Sequence, residues 1–321
     1  MQENKGKLII ALFSGLGNQM FQYAFYKHLL SVGFNAYLDK NSPLCRSSQK
    51  HESFRLDYFP LKEIKFATEK DIHEFLPKIN NIYYKPFLEI IKTESVLTII
   101  KIFFMKLKYR IQLKNRIWVE WNKNGRGKEF YRKDITKNTR AYMVGIYQEY
   151  YYLENICSCI RDDFLFDQNM PKSVKKYYLE IIGNNSVSIH VRRGDYSGAK
   201  AFDICTINYY RNAINSISKL VENPVYYLFS DDLEWVKTNF VFLREYTLID
   251  NSEYVNSDYY DLYLMTVCKH NIIPNSTFSW WGAWLNQNPN KVVICPEKWS
   301  GIDFVLTGDI CPPEWKREKV V

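Results

Sequence analysis

No apolar run in this sequence is long enough to cross a lipid bilayer. Residues 96–105 form one candidate, but they number only ten and are broken by Lys101, whereas a spanning helix needs about 20 apolar residues. A secretory signal is also lacking, because residues 1–7 are largely polar and the apolar run Leu8–Phe13 is short. The sequence therefore predicts a cytoplasmic protein that touches a membrane at most from its inner face.

A disulfide framework is also lacking. The cysteines are odd in number and irregular in spacing, and they are Cys45, Cys157, Cys159, Cys205, Cys268, Cys295 and Cys311. This distribution indicates a reducing compartment. Only Cys157 and Cys159 lie close together, with no second pair or histidine cluster beside them, so a metal site is not expected.

Positive charge is concentrated in one segment. The formal net charge is +8, yet residues 85–140 alone hold 15 Lys and Arg against 5 Asp and Glu. The apolar stretch within this segment, followed by basic residues, predicts an amphipathic helix that rests on an anionic membrane surface. A helix that packs on the protein's own core with a solvated basic face explains the pattern equally well. No nucleic-acid-binding motif accompanies the charge, so nucleic acid is not an expected partner.

The N-terminus predicts a strand, a tight loop and a helix. The apolar run Lys7–Phe13 is the strand. The loop offers two glycines for close backbone approach to a ligand and two amides suited to sugar hydroxyls: Gly15, Gly17, Asn18 and Gln19. The dinucleotide fingerprint is incomplete, because Met20 stands at its third glycine position. A helix cap at Asn18 is the competing explanation.

The remaining elements fall into two regions, which we expect to be an acceptor-side domain over 1–165 and a nucleotide-binding domain over 166–321. Residues 40–165 predict helices over 69–77, 84–109 and 148–161, and strands over 116–120 and 141–146. Later residues predict alternating strands and helices: strands 187–191, 225–229, 247–249, 272–273 and 291–295, and helices 206–221, 257–270 and 275–285, with one further helix capped by Ser230 or Asp231. Such alternation indicates an α/β fold with a parallel, Rossmann-like sheet, in which ligands bind beyond the carboxyl ends of the strands.

Three polar stretches follow predicted strands of this region, and they are His190–Asp195, Ser230–Asp232 and Asn275–Ser279. Arg192 and Arg193 provide planar, charged groups suited to phosphate oxygens, and Gly194 allows a sharp turn after them. A weak surface ion pair of Arg193 with Asp195 is the simpler alternative. Residues 275–279 open a helix whose positive end would accept a diphosphate, unless Ser276 merely caps a helix of core tryptophans.

Four ordered motifs carry a resemblance to a known family. They are Gly15-Leu-Gly-Asn-Gln-Met-Phe-Gln-Tyr23, His190-Val-Arg-Arg-Gly-Asp-Tyr196, Phe229-Ser-Asp-Asp232 and Asn275-Ser-Thr-Phe-Ser-Trp-Trp-Gly-Ala-Trp284. The chain resembles the bacterial α-1,2-fucosyltransferases of glycosyltransferase family 11. The resemblance implies a GT-B fold of two facing Rossmann-like domains. It also implies inverting, metal-independent transfer of fucose from GDP-β-L-fucose to the 2-hydroxyl of a terminal galactose, on O-antigen or capsule units carried by a lipid.

The resemblance also implies roles for individual residues. Arg192 should bind the β-phosphate, with Arg193 supporting it, while His190 and Asp261 should reach the nucleotide. The diphosphate pocket should be lined by Ser276, Thr277, Phe278 and Ser279, and the loop with Gly15, Gly17, Asn18 and Gln19 should face the fucose and acceptor. Asp195 is the first candidate for the general base, or it merely orients Arg193; Glu149 and Asp203 are weaker candidates.

The residue types agree with this chemistry. No Asp-x-Asp occurs in the sequence, so positive side chains and helix amides must stabilise the charge that grows on the leaving diphosphate. Three alternatives stay open: a non-catalytic GDP-sugar-binding module, a membrane-peripheral scaffold that depends on residues 85–140, and an α-1,6-type transferase that uses GlcNAc as its acceptor.

Overall fold

The computed structural model describes residues 6–41, 54–75, 117–119, 135–301 and 310–320. These residues divide into two compact units. The N-terminal unit ends at Asp163, and the C-terminal unit begins at Phe164 and also includes Gln148–Tyr150. The roles predicted for the two domains stay predictions.

The N-terminal unit contains a sheet of four parallel strands in the order β2-β1-β4-β3. Its elements are β1 (Lys7–Ala11), α1 (Leu16–Ser31), β2 (Ala36–Asp39), a 3₁₀ turn (Leu56–Tyr58), α2 (Glu69–Phe75), β3 (Ile117–Val119), β4 (Arg140–Val144) and α3 (Cys157–Asp163). A further 3₁₀ turn spans Tyr150–Leu153. The continuous apolar run of β1 is typical of a parallel strand that is covered on both faces.

A buried carboxylate ties the last helix of this unit to α1. Asp163 is 3% exposed and accepts hydrogen bonds from Lys27 Nζ at 2.9 Å and from the Tyr23 hydroxyl at 2.9 Å. The Cys159 thiol lies 3.6 Å from the same carboxylate oxygen. Burial and the nearby Asp163 raise the pKa of Tyr23 far above its usual value, so this phenol stays protonated and donates. The network therefore depends on the carboxylate charge of Asp163.

Replacing that charge should destabilise the N-terminal unit. We expect Asp163→Asn to lower the free energy of unfolding by about 3 kcal/mol, because Lys27 would remain largely buried without its partner. Urea denaturation measures this loss. Asp162→Asn, at an exposed position of the same helix, is the matched control and should change the stability little; equal stability of the two variants would contradict the role of the network.

The C-terminal unit contains a sheet of six parallel strands in the order β10-β9-β8-β5-β6-β7. Its elements are α4 (Lys172–Ile182), β5 (Ser186–Val191), a 3₁₀ turn (Gly194–Tyr196), α5 (Ile207–Ser218), β6 (Val225–Ser230), α6 (Leu233–Asn239), β7 (Thr247–Leu248), α7 (Ser257–Val267), β8 (His270–Ile272), α8 (Thr277–Leu285), β9 (Val293–Pro296) and β10 (Lys316–Glu318). The strand order reverses between β5 and β8. Ligands bind at such a topological switch point in doubly wound sheets.

Strand β6 shows how this sheet is covered on both faces. Tyr226 and Leu228 belong to one buried cluster with residues of α5, such as Ile217. Tyr227 belongs to a second cluster with residues of α7, such as Leu264. Because successive side chains of a strand point to opposite faces, the two clusters lie on opposite faces of the sheet.

The structure corrects two predictions from the sequence and adds two strands. The predicted helix 148–161 is interrupted, and only its last part is α-helical, because Tyr151 and Tyr152 pack their rings against residues of α1. The cap of α6 is Asp232, whose carboxylate accepts the Trp235 N–H, and not Ser230 or Asp231. Strands β2 and β10 were not predicted.

The predicted helix 84–109 and most of the basic segment lie outside the described residues. Within the described ranges, no helix has both the length and the apolar character needed to cross a membrane.

Candidate active site

The arginine motif begins where β5 ends, beside the topological switch point. Arg192 is the first residue after this strand, and its side chain is one-quarter exposed. Its Nη2 lies 2.6 Å from Asp195 Oδ1 and its Nη1 lies 2.7 Å from Asp231 Oδ2. Burial opposes the charge of Arg192, but the carboxylates of Asp231 and Asp195 raise its pKa. A fixed cation therefore stands at the carboxyl edge of the sheet.

Arg193 is bound into the protein on several sides. Its Nη1 lies 3.4 Å from Asp203 Oδ1, its Nη2 donates to Ser197 Oγ at 2.9 Å, and its guanidinium lies 4.6 Å from the centre of the Trp235 ring. Its buried Nε has no hydrogen-bond partner among the described residues. The ion pair of Arg193 with Asp195 that the simpler alternative predicted is wrong, since Asp195 pairs with Arg192.

Asp231 lies in the Ser230–Asp232 stretch that the sequence placed at this edge, but sequence reasoning assigned it no role in binding. Its Oδ1 accepts the backbone N–H of Arg193 at 2.8 Å while its Oδ2 binds Arg192, so one carboxylate fixes two consecutive residues. Gly194 permits this approach, because a Cβ there would lie 2.7 Å from Asp231 Oδ2. The available signal was the Ser-Asp-Asp sequence after β6, because β6 pairs with β5 in parallel and the two strands end together.

The start of α8 lies at the carboxyl end of β8, across the switch point. Ser276 is the N-cap residue, but its side chain makes no capping hydrogen bond. The first amides of this nine-residue helix therefore lack a side-chain cap, which is the arrangement that suits an anion. The alternative in which Ser276 merely caps the helix is wrong, whereas the tryptophans of the motif are core residues as predicted, with Trp280 and Trp281 fully buried.

The other predicted residues of this helix differ in exposure. Thr277 and Phe278 are partly exposed, whereas Ser279 is fully buried. The Ser279 hydroxyl donates to the Ser276 carbonyl at 3.3 Å. Ser279 therefore closes the first turn of the helix instead of facing outward.

Asn275 connects the arginine loop to this helix. Its carbonyl accepts the Tyr196 hydroxyl at 3.3 Å, and its side-chain amide donates to the carbonyls of Phe202 at 3.0 Å and Trp299 at 3.2 Å. Asn275 is 2% exposed. The loop after β5 and the N-terminus of α8 are thereby held together at one edge of the sheet.

His190 is a neutral imidazole below this edge. It is 4% exposed, its ring centre lies 5.5 Å from that of Phe278, and its Nδ1 has no hydrogen-bond partner in the described part of the chain. Burial, with Arg192 adding to the effect and Asp231 opposing it, lowers the pKa of His190 to about 3. The ring therefore offers neutral hydrogen-bonding nitrogens at pH 7.

Asp261 lies on α7 and pairs with a buried amide. Asn251 Nδ2 donates to Asp261 Oδ1 at 2.7 Å, and the buried Asn251 Oδ1 has no hydrogen-bond partner among the described residues. Burial raises the pKa of Asp261 to about 7; Asn251 opposes the shift, while Asp258 and Asp250 add to it. An unpartnered amide oxygen beside a titrating carboxyl is suited to the N–H groups of a purine base.

The three candidate bases have different surroundings. Asp195 is two-thirds exposed and binds Arg192. Asp203 binds Arg193 and also accepts the Gly198 N–H at 2.8 Å. Glu149 is buried, at 9% exposure. Asp195 is thus the most exposed carboxylate of the three.

The loop predicted to face the acceptor belongs to the N-terminal unit. Gly15, not Asn18, is the N-cap of α1, and Asn18 Nδ2 donates to Ser14 Oγ at 2.8 Å in its first turn. A Cβ on Gly15 would meet no atom within 4 Å, so this glycine leaves open space in front of the loop. Gln19 is fully buried and its amide binds the Ser14 carbonyl and the Arg55 N–H. Gln19 therefore shapes the loop from inside.

Gly17 is buried in the first turn of α1. That Gly15, Gly17 and Asn18 face the acceptor stays a prediction. In the ranges that the structure describes, no group of three or more His, Cys, Asp or Glu is arranged to hold a metal ion.

Comparison with known proteins yields matches along nearly the whole chain. The family model of Glycosyl transferase family 11 matches residues 8–319. The O-antigen biosynthesis glycosyltransferase WbnK of Escherichia coli is 32% identical over 307 residues, which cover 90% of this chain and 93% of that one. An α-1,2-colitosyltransferase of Escherichia coli is 29% identical over 330 residues, which cover 97% of this chain and 98% of that one.

Solved structures show the same fold at low sequence identity. The fucosyltransferase NodZ from Bradyrhizobium has a TM-score of 0.51 and 14% identity, over 87% of this chain and 92% of that one. NodZ, an α-1,6-fucosyltransferase, has also been solved after soaking with GDP-fucose. This likeness, together with the parallel sheets of the mixed α/β fold, confirms the predicted GT-B fold.

Proposed function

Because the chain belongs to glycosyl transferase family 11 and is a glycosyltransferase, we propose that it transfers L-fucose from GDP-β-L-fucose to the 2-hydroxyl of a terminal galactose. The reaction inverts the anomeric centre and gives an α-1,2 linkage. The observation that carries the proposal is a fixed arginine, Arg192, at the same sheet edge as the uncapped N-terminus of α8. Cations and helix amides of this kind suit a diphosphate.

The chemistry needs a site that favours the leaving group. As the acceptor oxygen forms a bond to C1 of fucose, the bond from C1 to the β-phosphate oxygen breaks and negative charge grows on GDP. Preorganised positive groups at that oxygen stabilise this transition state. Arg192 and the α8 amides supply them from the chain itself, and we propose that no metal ion or other cofactor takes part.

We assign the guanosine of the donor to His190 and Asp261. A neutral His190 presents hydrogen-bonding nitrogens without adding charge to a buried site, and an ionised Asp261 would accept the N–H groups of guanine. Arg193 supports Arg192 by holding the loop, and residues Ser276 and Thr277 line the phosphate side. The assignment accounts for two buried polar atoms that have no hydrogen-bond partner in the described protein, His190 Nδ1 and Asn251 Oδ1.

A second candidate donor is GDP-colitose. The relative named as an α-1,2-colitosyltransferase matches 97% of this chain, and colitose is L-fucose without its 3-hydroxyl group. Such a donor would use the same diphosphate contacts and form the same linkage. The two candidates therefore differ only in the pocket for the sugar.

The biological setting follows from the relative that acts in O-antigen biosynthesis. We propose that the acceptor galactose belongs to an O-antigen or capsule unit on a lipid carrier at the inner face of the cytoplasmic membrane. The 15 Lys and Arg of residues 85–140 would favour contact with anionic lipid there.

The experiment that tests the proposal is release of GDP in the presence of EDTA, with GDP-fucose and GDP-colitose offered separately. Lactose, its analogue without the galactose 2-hydroxyl, and GlcNAc serve as acceptors. We expect GDP-fucose to be used with lactose, and the 2-deoxy analogue to be inert because it lacks the attacking oxygen.

Other outcomes would replace the proposal with a named alternative. Faster turnover of GDP-colitose would make the chain a colitosyltransferase, and activity with GlcNAc alone would indicate an α-1,6-type enzyme. Binding of GDP without turnover of either donor would favour a non-catalytic binding module, and loss of activity in EDTA would contradict the metal-free mechanism.

A further inference from the structure

Both ends of the Arg192 guanidinium are covered by carboxylates. Asp195 binds Nη2 and Asp231 binds Nη1, at 2.6 and 2.7 Å. With Asp203 on Arg193, the cluster pairs two cations with three carboxylates. The unliganded cluster is thus anionic, although it stands where the donor's diphosphate is expected.

The two carboxylates on Arg192 are held very differently. The Asp231 side chain is 26% exposed and is held at both oxygens, by Arg192 and by the Arg193 N–H. Asp195 is 66% exposed, sits in the short 3₁₀ turn three residues after Arg192, and binds it through one oxygen. Ion pairs that are so exposed contribute little to stability. Asp195 is therefore the carboxylate that a diphosphate can replace.

The geometry points to Asp195 as a displaceable carboxylate that covers Arg192 until the donor binds and then accepts the acceptor's proton. This inference rests on the proposed function. The diphosphate takes the place of Asp195 on Nη2, while Asp231 stays and positions the guanidinium. The released carboxylate is then an unpaired base beside the reaction.

The group transfer balances without a further reactant. The acceptor oxygen bonds to C1 of the sugar, its proton passes to Asp195, and the C1–oxygen bond to the β-phosphate breaks with its electron pair going to GDP. Arg192 holds the charge on GDP, and Asp195 later loses the proton to water. Donor binding thereby makes the base available once the diphosphate is in place on Arg192.

The test compares GDP affinity and turnover in three variants that each remove one negative charge. Calorimetry at pH 8 should show about 3- to 5-fold tighter GDP binding in Asp195→Asn, because a weak competitor for Arg192 is lost. Its kcat should fall about 100-fold or more as the base is lost. Asp203→Asn removes the same charge from the cluster but leaves Arg192 covered, so it should tighten GDP binding less than Asp195→Asn does. Asp231→Asn should weaken GDP binding, because an amide N–H group would face Nη1.

Three results would overturn the inference. Weaker or unchanged GDP binding in Asp195→Asn would show that this residue only orients the arginine, and a retained kcat would show that it is not the base. If Asp203→Asn tightened GDP binding equally, the effect would come from the net charge of the cluster and not from uncovering Arg192. Failure of the proposed function is distinguishable, because a wild-type protein that binds no GDP would overturn the donor assignment itself, whereas the sugar transferred does not affect these binding measurements.

Discussion

Replacing Arg192 with alanine should lower kcat by about 100- to 1,000-fold, the usual effect of removing one preorganised donor from a developing anion. Asp231 already holds the guanidinium at Nη1 before substrate arrives, so little reorganisation is needed when charge develops on GDP. The measurement is single-turnover release of GDP at saturating donor. Because the arginine acts most strongly on the leaving group, kcat should fall more than the affinity for GDP.

Two controls separate this role from general effects on the unit. Arg192→Lys retains the charge but not the planar fork, and should recover part of the rate. Arg211→Ala removes the same kind of side chain from an exposed position of α5, where it lies 3.9 Å from the centre of the Phe242 ring. Arg211→Ala should leave transfer unchanged, and an Arg192→Ala protein with a wild-type kcat would contradict the assigned role.

GDP should bind about 100-fold more weakly at pH 5 than at pH 8, because each unit below the pKa of a required carboxylate costs about tenfold. The group responsible is Asp261, whose pKa burial raises to about 7. An ionised carboxylate accepts the N–H groups of guanine, and a protonated one must first release its proton. GDP affinity therefore falls as the pH drops through 7. A site that needed a protonated carboxyl group would show the opposite dependence.

Two variants test whether Asp261 causes this step. Asp261→Asn removes the titrating group and leaves only the titration of the terminal phosphate, near pH 6. Asp258→Asn, on the same helix, should retain the step and move it to a slightly lower pH, because Asp258 contributes to the raised pKa. A full step that survives in Asp261→Asn would rule out the assignment.

The raised pKa of Asp261 also affects the stability of the fold. This stability depends on pH in the direction opposite to that of GDP affinity. The native protein retains the Asp261 proton up to pH 7, whereas the unfolded chain releases it near the ordinary value of 3.8. Since the native state binds more protons in this window, the contribution of this group to stability falls as the pH rises from 3.8 through 7. The increase in melting temperature caused by GDP should therefore grow with pH.

Local patterns in the sequence predicted the elements that carry the arginine and serine-threonine motifs. Strand β5 and helix α8 lie where the sequence pattern placed them, because Val187–Val191 alternates apolar and polar residues as a strand does and a helix start is marked by polar residues. The edge strands β2 and β10 were missed. Lys316–Glu318 is entirely charged, as suits an exposed sheet edge, and so it has no apolar signal to detect.

The pairings of the site depend on strand order, which periodicity does not contain. Asp231 meets Arg192 because β6 lies beside β5, with Ser230 opposite Val191. Without that order, the sequence suggested the nearest acid in the chain, Asp195, as the partner of Arg193. Likewise, the contact between Tyr23 and Asp163 joins residues 140 positions apart, and nothing local predicts it.

A crystal structure of the GDP complex tests the central claim most directly. The account predicts the β-phosphate within hydrogen-bonding distance of Arg192 Nη2 and of the first amides of α8, with Asp231 still on Nη1 and Asp195 displaced. A diphosphate bound away from Arg192, or one coordinated through a divalent ion with Asp195 still paired to the arginine, would contradict it.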